Sequence, residues 1–496
     1  MSLVLAVVTP LLCAFLIPVF HLVWKTLPVC LVGVMGLASL AASLAAACTG
    51  WVSPAASLLG GWPPDLGIVL VADRLAAPFM LLTSMGVATS LVCSLEKYGG
   101  GPWRYYAIFF LLAASMNGIL LTADLFNLFV FYEIFSVAAY LLVASSMSWQ
   151  AMEAGLKYLV LGTMGALFFL LGTAFIFMAT GILNMALLPE ALSVVPRETL
   201  TVISTCLVLG LALKTGAFPV HFWLPDAHSS AQTPVSALLS GALVKVSVYA
   251  LTRISCLFFL SNGGGVFRVI TIMGVLSILG GHLMAFRQDD IKRLLAFSTV
   301  AQIGYILVGV GCASAAGIAA AVFHAINHML MKMGLFITSG DICERVGTRS
   351  IRAIKDTAGV LPANVAIFTV FALAIVGVPP LNGFMSKWFI MLFSVTDTGL
   401  CPALAIAAGT IISAAYYYGV VSALVGSVVR RNTGSPGNND LDSPTVSASS
   451  VITGTFAVLC LLAGLAALWP PMQSSFLSIG ETAVDIEGYA RLVLGK

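Results

Sequence analysis

The chain has 496 residues, of which 60% are hydrophobic and only 9% charged, with a formal net charge of +3. An ordinary soluble domain is about a quarter charged, so this composition excludes one and marks a chain that crosses a bilayer many times. The small, dispersed positive charge gives no footing for nucleic acid. Ten cysteines stand singly, none in a CxxC pair, so no iron–sulfur, zinc or haem cofactor is expected on this chain.

A span needs about 20 apolar residues. Such runs centre near residues 12, 38, 85, 112, 135, 167, 207, 245, 275, 302, 328, 370, 412 and 460. The expected fold is therefore all-α and polytopic, with about fourteen transmembrane helices. The first run, MSLVLAVVTPLLCAFLIPVFHLVW, has no basic leader and no small-residue cleavage site, and reads as a retained helix rather than a signal peptide. Residues 51–74 interrupt the series with prolines, glycines and alternating apolar residues. They predict a hairpin or re-entrant loop at the surface, within an N-terminal section of residues 1–103. RRNTGSPGNNDLDSPTVSASS, starting at Arg430, predicts a flexible polar linker over 430–449. Residues 450–496 hold the last span and SSFLSIGETAVDIEGYARLVLGK, patterned as a short amphipathic helix at the membrane interface.

Charge placement sets an orientation. The odd-numbered loops between spans hold Lys25, Lys97, Arg104, Lys157, Arg287, Lys292, Arg293, Arg345, Arg349, Arg352, Lys355, Arg430 and Arg431. The even-numbered loops hold only Arg74, Arg197 and Arg268. By the positive-inside rule the odd loops face the cytoplasm, and both termini lie on the outer face of a cell (inner) membrane.

Charged side chains within spans are costly, about 2.5–3.5 kcal/mol each on insertion scales. Several spans carry them nonetheless: Glu133, Lys214, Lys245, Lys332 and Lys387. Four of the five are lysines, so either they pair with Glu133 and water or some are neutral. A desolvated lysine loads and releases a proton near neutral pH, as a proton relay requires. The plainer alternative is snorkelling lysines or packing ion pairs. His324, His328 and Lys332 fall at i, i+4 and i+8, on one helix face over about 12 Å. Imidazole passes a proton through either nitrogen; the alternative is a pair of histidines bonded to backbone. The HAINH spacing lacks the glutamate of a zinc protease, and no metal site is expected.

Two breaks accompany the lysines. Gly216 and Pro219 follow Lys214, and GVPPLNGFMSK places two prolines and a glycine before Lys387. Irregular backbone at membrane depth is tolerated where it is buried or lines a wet cavity, and paired interrupted segments point to an ion path. His221 in the first break is a further candidate. Asp124, near the start of the Glu133 span, reads as a helix cap or an ion entry, the cap being favoured.

FNLFVFYEIFSVAAYLLV, LKTGAFPVHFWLPDAHSSAQTPVSALLSGALVKVSVYAL, RQDDIKRLLAFSTVAQIGYILVG, AINHMLMKMGLF and GVPPLNGFMSKW occur in that order. Together they closely resemble the antiporter-like proton-conducting membrane subunits. That family includes subunits of complex I, of membrane-bound hydrogenases, and the A and D subunits of Mrp-type sodium/proton antiporters. The resemblance implies two inverted five-helix repeats, at 104–260 and 265–429, with broken helices near Lys214 and Lys387. It implies that Glu133 modulates Lys214, that Lys245 is a mid-channel relay, and that His324 and His328 link the half-channels to Lys387. Lys332 also matches a family position, near the cytoplasmic end. The implied partners are other membrane subunits of a hetero-oligomeric antiporter or respiratory or hydrogenase complex. An Mrp-type antiporter, with this chain in the place of its D subunit, or a membrane-bound hydrogenase is the preferred parent, and a complex I NADH-quinone oxidoreductase the alternative. The implied cargo is protons, with sodium left open. Any redox enzyme activity then belongs to partner chains. A quinone-acting enzyme fits less well because no cofactor ligand set or soluble domain appears, a solute permease because no aromatic or polar site to grip an organic solute is evident, and a plain scaffold because it leaves the buried lysines unexplained.

Overall fold

The structure, a computed structural model, describes residues 2–495 except 65, 262–263, 358 and 434–446. Helices α1 (Ser2–Val23), α2 (Val29–Val52), α3 (Ala76–Tyr98) and α4 (Trp103–Leu121) form the N-terminal side. Between α2 and α3, strands β1 (Ala55–Leu58) and β2 (Val69–Ala72) pair antiparallel, Ala55 opposite Ala72. The predicted hairpin is present and its connecting loop is exposed, with Trp62 and Leu66 outward. All of β2 is buried, because it lies against α1, α2 and α4 and its Val69 carbonyl accepts from Ala123 N at 2.9 Å.

The middle of the chain supplies α5 (Leu125–Val143), α6 (Trp149–Thr180), the short α7 (Leu188–Ser193), α8 (Arg197–Thr215), α9 (Trp223–Ser230), α10 (Thr233–Leu238) and α11 (Val244–Phe259). A π turn, Leu239–Leu243, joins α10 to α11 as one continuous span. Next come α12 (Gly264–Phe286), α13 (Ile291–Gly311), α14 (Ala315–Val346), the short α15 (Ile351–Asp356), α16 (Pro362–Val376), α17 (Asn382–Asp397) and α18 (Leu400–Thr433). The chain closes with α19 (Ala448–Ala466), α20 (Pro470–Val484) and α21 (Ile486–Leu494).

Among the described residues, 13 helices are long and apolar enough to cross a membrane. The remaining predicted run, near residue 370, is the 15-residue α16, which stops at a break and is continued by α17. Spans α10–α11 and α13 are buried throughout their apolar windows and α14 nearly so, whereas α1, α2 and α19 turn most of theirs outward. These innermost spans carry Lys245, His324, His328 and Lys332. Close approach there uses small residues: a Cβ on Gly304 of α13 would sit 2.6 Å from the Gly274 carbonyl oxygen of α12.

Loop contacts define two faces. Bridges Leu70–Thr122 and Asp124–Asn184 gather the even loops, and Asp290–Ser350 gathers odd ones. On the odd face Lys97 pairs with Glu344, and Glu96 accepts from Ala448 N at 3.1 Å and Ser449 N at 3.0 Å, capping α19. Two expectations change at the C-terminal end. Helix α18 runs on to Thr433 and α19 starts at Ala448, so both edges of the predicted linker are helical; its remainder, 434–446, lies outside the described residues. The predicted amphipathic segment is two helices, not one, and α20 packs against α14 instead of lying free at the interface.

Candidate functional site

Lys214 occupies the last turn of α8, where the chain leaves the helix through Gly216 in the left-handed region, φ 67°. Its side chain is buried, and Nζ donates to Ser136 Oγ on α5. Glu133 stands one turn before Ser136 and is near enough for its charge to act on Lys214. No ion pair joins it to any of the four lysines among the described residues, and Glu133 Oε1 is buried without a hydrogen-bond partner. In this arrangement the Lys214 ammonium is held by a neutral hydroxyl on the same helix as Glu133.

Lys245 stands at the first turn of α11 and is fully buried. Its Nζ donates to the Ser240 carbonyl within the π turn, and Ser240 Oγ meets Thr299 Oγ1 of α13 at 2.8 Å. A π turn leaves backbone carbonyls poorly satisfied by the helix itself, so it offers the ammonium an acceptor without a counter-charge.

Helix α14 presents His324, His328 and Lys332 from one face, each fully buried. His324 Nδ1 lies 2.8 Å from Ser386 Oγ of α17 and Nε2 lies 3.0 Å from Gln302 Oε1 of α13. The rings of His324 and His328 are parallel, within 1°, at 6.2 Å, and neither nitrogen of His328 has a protein partner. Lys332 donates to the Leu295 carbonyl at 2.7 Å, one turn from the odd-loop end of α13.

Lys387 lies one turn inside α17 and reaches back across the break. Its Nζ donates to the carbonyls of Ile375 at 2.7 Å and Val376 at 3.2 Å, the last of α16, which Gly377 (φ 93°) leaves without helical partners. It also stands 4.7 Å from the centre of the Tyr305 ring.

The four ammonium groups share one design: each is held by a hydroxyl or carbonyl oxygen, and none touches a carboxylate. His328 lies within electrostatic reach of Lys245, Lys332, His324 and Lys387. A proton on one of these groups therefore disfavours a second on its neighbour, through a medium that screens poorly. The arrangement can hold and hand on single positive charges between helices.

Two outlying candidates sit elsewhere. Asp124 is the N-cap of α5, its Oδ1 accepting from Asn127 N at 2.7 Å, as favoured from sequence; burial raises its carboxyl above the usual range. His221 is packed between Phe218 and Phe222 in the first break, with Nε2 3.3 Å from Met284 Sδ.

Residues 122–413, which include the whole line from Glu133 to Lys387, match the family model described as "NADH:quinone oxidoreductase/Mrp antiporter, TM". The chain belongs to this family. It is 35% identical over 400 residues to NADH-quinone oxidoreductase subunit N of Desulforudis audaxviator, covering 77% of this chain and 79% of that one. It is 33% identical over 355 residues to the D subunit of the Na(+)/H(+) antiporter of Alkalihalophilus pseudofirmus, covering 71% and 72%. Its fold superposes with a TM-score of 0.89 on a chain of the membrane-bound sulfane sulfur reductase, an archaeal respiratory membrane complex, at 28% identity and 99% of each chain.

Within this NADH:quinone oxidoreductase/Mrp antiporter family member, sequence reasoning passed over four buried polar residues. His282 on α12 joins Tyr305 (2.9 Å) to Tyr416 (3.1 Å), beside Lys387. His228 on α9 stacks on Phe336 with both ring nitrogens unpartnered. Arg253 on α11 pairs with Asp73 at 2.6 Å. The i+8 spacing of Lys245 and Arg253 was the available signal for the last pair; a lone histidine in GGHLMAF gave none.

Proposed function

We propose that this chain is a proton-translocating subunit of a multisubunit membrane complex, with Glu133, Lys214, Lys245, His328, His324 and Lys387 as its carriers. The observation that carries the reading is the set of buried lysines held only by neutral oxygens. An ammonium without a counter-ion in a low-dielectric interior is poised to give up its proton, and a lysine near a movable carboxylate is poised to regain one. In the described arrangement Lys214 donates to Ser136, and Glu133 Oε1 has no hydrogen-bond partner. The approach of Lys214 to Glu133 would retain a proton, and its return to Ser136 would release one toward Lys245.

The same reading takes residues 104–260 and 265–429 as inverted halves. It is supported by a break at Gly216, just after Lys214, in one and a break at Gly377, before Lys387, in the other. It also places the odd loops in the cytoplasm and both termini outside a cell membrane, on the strength of the arginine and lysine bias. The relatives' names support companion membrane subunits as partners. They divide between antiporter and respiratory parents, so an Mrp-type or reductase-type complex stands beside a complex I-type one. Protons are the cargo, and sodium exchange is the question the parent decides.

The test is to purify the chain with its companions, identify them by mass spectrometry, and reconstitute the complex in liposomes with an internal pH dye. Glu133→Ala, Lys214→Ala and Lys387→Ala should each abolish coupled proton movement while the complex still assembles. Full transport by all three variants would sink the mechanism.

A further inference from the structure

Helix α11 carries Lys245 at its start and Arg253 two turns later, with Tyr249 between them. At i, i+4 and i+8 the three share one face over about 12 Å. Arg253 is buried, and the line of carriers does not use it. Its Nη2 donates to Asp73 Oδ1 at 2.6 Å and to the Tyr249 hydroxyl at 3.2 Å, and the rings of Tyr249 and Tyr489 flank its guanidinium at 5.4 and 4.9 Å. Asp73, just after β2, lines a cavity of about 260 Å³ with Arg74, Asp485 and Tyr489. Arg74 and Asp485 are exposed, so the cavity meets water at the even-loop face. From the interior outward the order is Lys245, Tyr249, Arg253, Asp73, water.

A buried ion pair stabilises a fold only when its remaining hydrogen-bonding atoms are satisfied. Here Asp73 Oδ2 and Arg253 Nη1 are both buried without partners. The pair is thus a poor clamp, and its position suggests another use.

We propose that the Asp73–Arg253 pair is an electrostatic gate that closes the even-loop end of the Lys245 segment; this rests on the proton-carrying role of Lys245 given above. A guanidinium does not deprotonate in proteins, so Arg253 cannot relay a proton. It lies two turns outward of Lys245 on the same face of α11, where its charge opposes an excess proton moving outward. Asp73, buried 2.6 Å from the guanidinium, offsets most of that charge, and the inner side keeps the positive end of the pair's dipole. A proton on Lys245 is then directed across the bundle to α14 and Lys387 instead of leaving along α11.

The experiment reads passive proton influx in liposomes holding the intact complex, without its driving reaction and with the membrane potential clamped. D73N/R253Q keeps polar side chains and removes both charges. A lone unit charge about 12 Å away at an effective dielectric of about 20 would slow a rate about tenfold; with Asp73 offsetting most of it, influx should rise about twofold when both charges are removed. Adding Lys245→Ala should return it to the wild-type level, and R253K, which keeps the charge, should stay tight. Wild-type tightness in assembled D73N/R253Q or D73L/R253L overturns the gate. Failure of both double variants to assemble beside a normal R253K also overturns it, because the pair is then a clamp. A wild-type complex that moves no protons sinks the proposed function, and the gate with it; a tight variant of a proton-moving complex sinks the gate alone.

Discussion

Ser136 is the residue on which the resting position of Lys214 depends. Its hydroxyl takes the Lys214 ammonium one helical turn from Glu133, whose Oε1 has no partner of its own. Ser136→Ala leaves the ammonium with no neutral acceptor, a loss of about 1–3 kcal/mol for a buried donor, which biases Lys214 toward Glu133. Coupled transport in the reconstituted complex should fall roughly tenfold or more by that figure, and Ser136→Thr, which restores a hydroxyl, should recover most of it. Equal rates in serine and alanine forms would show that Ser136 is a bystander. The carriers themselves were legible in the sequence because a lysine or glutamate in an apolar run is conspicuous. Their partners were not: serine hydroxyls and backbone carbonyls leave no mark on composition, so sequence left open whether the lysines meet Glu133 or neutral oxygens.

At the scale of elements, interruptions do the positioning. Gly216 turns the chain with φ 67°, and a Cβ there would stand 2.5 Å from Leu224 Cδ1. Gly216→Ala therefore combines a left-handed alanine, costing about 1–2 kcal/mol, with a clash against α9. Thermal unfolding of the detergent-solubilised complex should show a lower midpoint, and transport should drop with it; an unchanged midpoint would mean that the break tolerates a side chain. Both breaks could be read in advance, since glycine and proline announce them. The π turn under Lys245 could not: SALLSGALVK has the look of an uninterrupted apolar helix, and only packing against α14 and Thr299 reveals the extra residue in the turn. The hairpin was readable as a hairpin, but the burial of β2 was not, because its cover comes from α1 and α4, outside its own stretch.

For the whole molecule, the bias of arginine and lysine makes a topological prediction. In a background with the exposed native Cys30, Cys48 and Cys401 replaced by alanine, Arg352→Cys should react with a membrane-impermeant maleimide only in inside-out vesicles. Leu66→Cys, exposed in the hairpin loop, should react only in intact cells. Reversal of the two would invert the assigned orientation. The number of spans was accessible from hydropathy except near residue 370, where two half-length helices stand for one.

Glu96 and Lys97 end α3, yet they are tied to Ala448, Ser449 and Glu344, separated along the chain by 352, 353 and 247 positions. During synthesis Lys97 has no counterpart until residue 344 of the 496 is made, and Glu96 none until residue 448. The early spans must wait in the bilayer with a glutamate and a lysine unclaimed at their odd-loop end. The arrival of α19 then closes a ring that began at α3, so a chain truncated before residue 448 leaves Glu96 without its cap partners, a signature by which unfinished copies differ from finished ones.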